Sequence, residues 1–189
     1  MKRCSWCEGN ALYEKYHDEE WGKPTRDDRV HFEFMILESA QAGLSWLTIL
    51  KKREGYRNAY AGFDPLVVQA FTESDVERLM QDAGIVRNRM KINASIGNAK
   101  VFVELQKEFG SFAAYLWGFI DDTPVVNHWE TLSQIPATTE LSERISKDLK
   151  KRGCKFFGPT IVYSHLQATG LINDHLVGCF RHGEVQLGE

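Results

Sequence analysis

Between Asp27 and Ala42 the chain reads "DDRVHFEFMILESAQA", apolar at nearly every helical position. A helix that is greasy all round has no face for water, so this segment is predicted to run through the middle of the protein. Asp27 and Asp28 stand at its positive end, where carboxylates are favoured. Gly43 then reads as a turn, and Leu44 to Leu50 as a second helix. A further helix starts near Ser74 and is expected to end on Gly84 as a C-terminal cap. Residues 87 to 109 make a long amphipathic helix, with Met90, Ile96 and Val103 among its apolar positions. The stretch "DTPVVNHW" is extended and marked by proline. "TTELSERISKDLKKRG" carries a threonine cap, a periodic Leu141, Ile145 and Leu149, a basic last turn and a terminating Gly153.

No run of period-two alternation is long enough to propose a sheet, so the fold class is all-α. The last third reads "GCKFFGPTIVYSHLQATGLINDH". Gly153 and Gly158 bracket a short hairpin, and Pro159 opens the next helix where its missing N–H costs nothing. Such a corner can offer backbone N–H groups and a helix N-terminus to one phosphate. The plain alternative is an ordinary turn in a helical protein.

Composition narrows the setting. At 189 residues the chain suits one unit, 1–189, arranged as two helical lobes around a cleft. The first lobe would hold the termini and N-terminal helices, the second the central and C-terminal helices with the hairpin. Hydrophobic residues make up 43% and charged residues 26%, and the net charge is −3. These values fit a soluble globular protein and give no global sign of nucleic acid. No segment approaches the roughly 20 apolar residues of a membrane span. No apolar run follows Lys2–Arg3, so no signal peptide is expected and the chain is placed in the cytoplasm. Three basic clusters, Lys51-Lys52-Arg53, Arg87/Arg89/Lys91 and Lys150-Lys151-Arg152 with Lys155, read as solvated helix faces.

Four cysteines in a reducing compartment are metal ligands or core residues more often than disulfides. Cys4 and Cys7 form a C-x2-C with no second pair. At the far end "NDHLVGC" places His175 and Cys179 four apart, a spacing that shares one face of a helix. Adding Cys4 or Cys7 and His17 gives a closed Cys2His2 set, the donor type of structural zinc. Cu(I) would also accept it. The competing reading is two buried thiols and two satisfied histidines.

Glu38 sits on the apolar stripe of the central helix. A buried carboxyl is paired or faces a pocket. Trp6, Tyr13, Tyr16, Trp21 and Trp46 surround it in sequence, and aromatic faces with one acceptor suit a flat, electron-poor ring. An aromatic minicore with a structural glutamate is the alternative.

The motifs "CSWC…YHDEEWG", "LESAQAGLSW", "KKREGYRNAYAGFDP", "DAGIVRNRMKI" and "LKKRGCKFFGPTIVYSHLQATGLINDH", in this order and closed by "GC", resemble the 3-methyladenine DNA glycosylase I family. The resemblance runs from Cys4 to Cys179. It implies a helix–hairpin–helix glycosylase fold and excision of N3-methyladenine from alkylated double-stranded DNA by a monomer, with no nucleotide cofactor. It implies Cys4, His17, His175 and Cys179 as a structural zinc set that joins the two termini, with Cys7 spare. It implies Glu38 as the base-recognising acid, and Tyr16 and Trp46 as pocket residues with Trp6, Tyr13 and Trp21 as neighbours. Gly153, Lys155 and Gly158 fall in the DNA-backbone hairpin, and Leu44 is the candidate to fill the gap left by a flipped nucleotide. The hairpin departs from the compact L-P-G-h-G form. Asp174 matches in chain order the catalytic aspartate of many relatives in the superfamily, but it adjoins His175 and is expected to turn toward the metal shell, leaving Glu38 as the important acid. The alternative function is a non-catalytic zinc-containing DNA-binding module. A small-molecule hydrolase would need a nucleophile constellation that the chain lacks.

Overall fold

A computed structural model describes residues 2–187. The chain is mostly helical. In order come α1 (Ala11–Glu19), α2 (Asp28–Gln41), α3 (Trp46–Ala59), α4 (Pro65–Val68), α5 (Glu73–Gln81), α6 (Arg89–Phe109), α7 (Phe112–Trp117), α8 (Glu140–Lys151), α9 (Pro159–Ala168) and α10 (Arg181–Leu187). One feature was not expected from the pattern. Val125–Val126 and Ile172–Asn173 pair as a two-residue parallel bridge, Val125 opposite Ile172. Two residues per strand are too few to leave a period-two trace in the sequence.

The central helix is where its apolar pattern put it. Every residue from His31 to Ala40 is buried, and α3, α6, α7 and α9 pack around it. Asp27 caps α2 by accepting from Arg29 N. Asp28, at the first position of α2, accepts from Phe112 N and Ala113 N and so caps α7 in turn.

Two boundaries differ from expectation. Helix α3 starts on a Ser45 cap and runs to Ala59, nine residues beyond Leu50. Gly55 within it looks like a breaker, but a Cβ there would lie 2.3 Å from the Gly84 carbonyl oxygen, so the residue is small because backbone crosses it. Gly84 is therefore a contact point and not a cap: α5 stops at Gln81, with Asp82 as its C-cap.

At the other end, α8 closes with a Schellman motif. Cys154 N donates to Leu149 O and Gly153 N to Lys150 O, with Gly153 at φ +107°. The Gly153–Gly158 segment is a turn with no strand pairing, so it is a hairpin in the sense of a chain reversal only. Gly158 caps α9 and Pro159 takes its first position.

The basic clusters are not simply solvated. Arg53 pairs with Glu20 and Glu33, Arg89 with Glu73 and Glu77, and Arg152 with Glu108 and Asp148. Lys91 reaches the end of α2 and donates to Ala40 O at 2.8 Å and Ala42 O at 2.6 Å. Two turns further along α6, Asn98 grips the backbone of Lys155, donating to its carbonyl and accepting from its N–H, each at 2.9 Å. Residues seven apart share a helix face about 10.5 Å apart along the axis. One face of α6 thus holds both the turn that carries Leu44 and the turn that carries Lys155.

Candidate active site and metal centre

Tyr16 and His17 are neighbours in the last turns of α1, so their side chains point in different directions, and each serves a different cluster. Tyr16 lines a cavity of about 240 Å³. The same cavity is walled by Trp6, Tyr13, Trp21 and Trp46 and reaches Glu38. All five aromatic candidates and the carboxyl therefore meet in one place. Trp6 sets its edge against Tyr13 and Trp21 at 5.0 and 5.1 Å, and Tyr16 lies 5.6 Å from Trp46. Phe34, one turn before Glu38 on α2, backs Trp46 in a stacked pair.

Glu38 is 2% exposed. Its Oε2 lies 2.9 Å from His165 Nδ1, and among the described residues no hydrogen bond reaches Oε1. The indole N–H of Trp46 is also buried, and it has no hydrogen-bond partner among the described residues. Burial pushes the Glu38 carboxyl well above the usual carboxylate range. It pushes the Tyr16 phenol up as well, with the nearby Glu38 and Glu20 adding to the effect.

Sequence reasoning missed part of the wall. Gln41 lies three residues after Glu38 on α2, and Ser164 and Gln167 come from α9. A signal was present: Ser164 and Gln167 are polar residues three apart, on one face of a helix. His165, between them, was also missed as the partner of Glu38.

Asp174 turns toward neither the cavity nor the cysteines. It is 1% exposed and accepts four hydrogen bonds. Asn127 Nδ2 and Trp129 Nε1 bind Oδ1, each at 2.7 Å. Gln167 Nε2 binds Oδ2 at 2.7 Å, and the Tyr163 hydroxyl binds the same oxygen. The expected turn toward the metal shell is not seen, because the donors of the "VNHW" stretch and α9 saturate the carboxylate. Asp174 acts on the cavity at one remove, by holding Gln167.

The second cluster gathers Cys4, His17, His175 and Cys179, all buried, with ligand atoms within 4.8 Å of one another. Cys179 Sγ lies 3.4 Å from His17 Nε2 and 3.6 Å from His175 Nδ1, and Cys4 Sγ lies 3.8 Å from His175 Nδ1. A tetrahedral ion with Zn–S near 2.3 Å and Zn–N near 2.05 Å requires S···N edges of about 3.6 Å. The donor set fits such an ion. The outer nitrogens are also tied, as metal-bound histidines require. His17 Nδ1 meets Asp18 at 2.8 Å, and His175 Nε2 donates to Trp21 O at 2.9 Å. That second bond demands Gly22, since a Cβ there would come within 2.8 Å of His175 Nε2. The Cys179 thiol is driven down, first by the hydrogen bond from Cys4 and then, against burial, by those from His17 and His175. Cys7 is outside the set and turns its thiol to the Cys4 carbonyl at 3.1 Å. The shared helical face proposed for His175 and Cys179 is absent. They lie in a non-helical turn, closed by Cys179 N donating to Leu176 O.

The proposed DNA-contacting positions are on the surface. Leu44 is 39% exposed at the tip of the α2–α3 turn, and Lys155 is exposed. Phe156, 39% exposed at φ +53°, was not anticipated; its left-handed backbone is carried by the turn that Asn98 holds.

A family model described as methyladenine glycosylase matches residues 6–182. The chain is 52% identical over 179 residues to DNA-3-methyladenine glycosylase 1 of Escherichia coli (strain K12), covering 95% of this chain and 96% of that protein. A crystal structure of 3-methyladenine DNA glycosylase I superposes with a TM-score of 0.91 at 49% identity, covering 95% of this chain and 98% of the other. A Y16F form of 3-methyladenine DNA glycosylase I in complex with 3-methyladenine superposes with a TM-score of 0.92 at 38% identity, covering 95% and 97%.

Proposed function

This chain belongs to the methyladenine glycosylase family, and from that premise we propose that it flips N3-methyladenine out of alkylated double-stranded DNA and hydrolyses its N-glycosidic bond, leaving an abasic site. The observation that carries this reading is a buried carboxyl that lines a ring-sized aromatic cavity and has one oxygen without a hydrogen bond among the described residues. Among the relatives, the protein solved with 3-methyladenine supports the same substrate.

The chemistry asks little of an acid. A nucleotide methylated at N3 already carries positive charge on the base, and the base leaves as a neutral molecule. What remains is to extrude the base, hold it and stabilise the charge that develops on the sugar. Glu38 accepts from the exocyclic amine, Tyr16 meets the polar edge, and Trp46 stacks on the face, with Trp6, Tyr13 and Trp21 closing the walls. Unmodified adenine can enter but does not leave, because its bond has not been weakened.

Leu44 fills the vacated stack. The Gly153–Gly158 turn, with Lys155 and the N-terminus of α9, takes a backbone phosphate, so the α8–turn–α9 unit serves as the helix–hairpin–helix of this chain. The Cys4, His17, His175 and Cys179 set holds a structural zinc that ties both ends of the chain to the back of the aromatic wall. Bound there, zinc supplies fold stability and no open coordination position. We read residues 1–189 as one unit of two lobes, acting as a monomer in the cytoplasm.

The test is release of free base. Duplex DNA treated with a methylating agent and incubated with the protein should yield free 3-methyladenine in solution, with bulk adenine untouched. Retention on DNA without any free base would favour a binding module and defeat the proposal. Elemental analysis of the same preparation should find one zinc per chain.

A further inference from the structure

Behind Glu38 three hydrogen bonds run in series. Glu38 Oε2 meets His165 Nδ1 at 2.9 Å, His165 Nε2 meets His31 Nδ1 at 3.0 Å, and His31 Nε2 meets the Thr25 carbonyl at 3.2 Å. A carbonyl only accepts, so His31 Nε2 carries a proton. Each of the other two bonds needs one proton as well. The unit of one carboxyl and two imidazoles therefore holds three protons. A carboxylate with two neutral imidazoles would bring two. The third makes the unit neutral overall, wherever along the line it rests.

All three groups are at most 2% exposed, so a net charge on the unit would be poorly solvated. Burial raises the Glu38 carboxyl and lowers both histidines to about 3. For His31 the neighbouring His165 adds to the lowering, while the Thr25 carbonyl, Asp28 and Asp27 oppose it. Tyr16 on α1 faces Glu38 across the cavity and stays a neutral phenol. Phe112 of α7 and Phe157 of the turn before α9 close the remaining sides of His165. In the empty cavity the third proton sits on Glu38.

We infer that His165 and His31 are positioning residues that store the Glu38 proton: when a cationic purine enters the cavity, the proton passes from Glu38 Oε2 to His165 Nδ1, leaving a carboxylate beside the ring and an imidazolium behind it. This rests on the cavity being the lesion pocket. No bond to carbon changes, and the proton stays within one hydrogen bond. A positive ring favours the shift because it draws negative charge to the cavity wall and moves positive charge deeper. Once the glycosidic bond breaks, the ring is neutral and the proton returns to Glu38. The same unit therefore grips the charged lesion and relaxes its hold on the uncharged product.

The probe is 3,9-dimethyladeninium, a permanent cation that cannot be cleaved, with neutral 9-methyladenine as its control. Calorimetry in two buffers of different ionisation enthalpy counts the protons exchanged on binding. The wild type should bind the cation more tightly than the control and release no proton, with an affinity flat between pH 6 and pH 8. Glu38→Gln should lose that preference. His165→Asn cannot store the proton, so it should release one per cation bound and gain tenfold in affinity per pH unit. Nitrogen NMR of the wild type should show His165 Nδ1 becoming protonated on binding. Release of one proton by the wild type would overturn the storage role and leave the pocket intact. Failure of the wild type to bind the cation at all would overturn the pocket reading together with this one.

Discussion

Glu33 and Glu38 lie on the same buried helix, five residues apart, and both are nearly inaccessible to water. They do opposite jobs. Five residues turn an α-helix through about 140° beyond a full circle, so the two carboxyls look to different sides. Glu33 Oε1 faces α3 and accepts from Arg53 Nε at 2.7 Å and Arg57 Nη2 at 3.0 Å. Both partners are guanidinium groups, which stay charged and do not exchange the proton. Glu38 faces α9 and a histidine, lines the cavity, and keeps a second oxygen without a hydrogen bond among the described residues. A buried acid is made structural by a cation that never titrates. It is made available for chemistry by a partner that can exchange a proton and by an oxygen without a bond.

The largest effect that can test this contrast is the loss of ionisation at position 38. Glu38→Gln presents an amide N–H to His165 Nδ1, as the neutral acid does, so its melting temperature should stay near that of the wild type. Excision should fall by about 10² to 10³, the usual loss when an aimed electrostatic partner is removed. Glu33→Gln should show the reverse: near-normal excision in single turnover, and lower stability because two arginines lose their anion. Equal excision losses for both variants would break the distinction between the two carboxyls.

Removing the partner of Glu33 comes next in size. Arg53→Met keeps the side-chain bulk over Phe34 but leaves the buried Glu33 carboxylate only the more exposed Arg57, a change that costs about 3 kcal/mol. Urea denaturation should show the midpoint falling with the slope preserved, which marks a change in stability rather than in the unfolded chain. Excision per folded molecule should change little. A stability loss below 1 kcal/mol would show that Arg57 alone satisfies Glu33.

How far the sequence announces these roles depends on the distance to the partner. The periodicity of residues 27–42 identifies a buried helix, and the five aromatic residues near Glu38 belong to the first quarter of the chain, so the pocket acid is legible. Glu33 occupies an equally greasy stretch, but its partners Arg53 and Arg57 stand 20 and 24 residues away, the first inside a basic run that reads as surface. His165 stands 127 residues from Glu38, within an apolar helix opened by a proline. No local period links such pairs. The metal-type cluster was within reach because cysteine and histidine are scarce and chemically restricted, although the backbone between His175 and Cys179 is a turn and not the expected helix. The resemblance supplied the residue roles that spacing alone left open.

Asp174 supplies a third buried acid and a smaller test. Four donors hold it, and one of them, Gln167, lines the cavity. In Asp174→Asn the Tyr163 hydroxyl and the Gln167 amide can both turn to accept, which leaves the loss of charge-assisted bonds at about 2 kcal/mol. Excision should drop only severalfold, through the displaced Gln167. A drop as large as that of Glu38→Gln would make Asp174 the chemically important acid and reverse the comparison.

The smallest effect is expected at the rim of the Glu33 cluster. Arg53 Nη1 also meets Glu20 Oε2, at 2.7 Å, a shorter contact than Arg57 makes with Glu33. Distance alone would rank Glu20 above Arg57. Burial ranks it lower, because the Glu20 side chain is 33% exposed and Glu33 only 7%. Water screens the Glu20 pair and solvates the carboxylate when its partner moves, so Glu20→Gln should cost under about 1 kcal/mol. Measured beside Glu33→Gln under the same denaturant conditions, the smaller loss would show that the environment of a carboxylate, rather than the length of its contact, sets its worth. A loss at position 20 equal to that at position 33 would mean that Arg53 is held by both acids as one unit, and the contrast between fixed and exchangeable partners would then have to include Glu20.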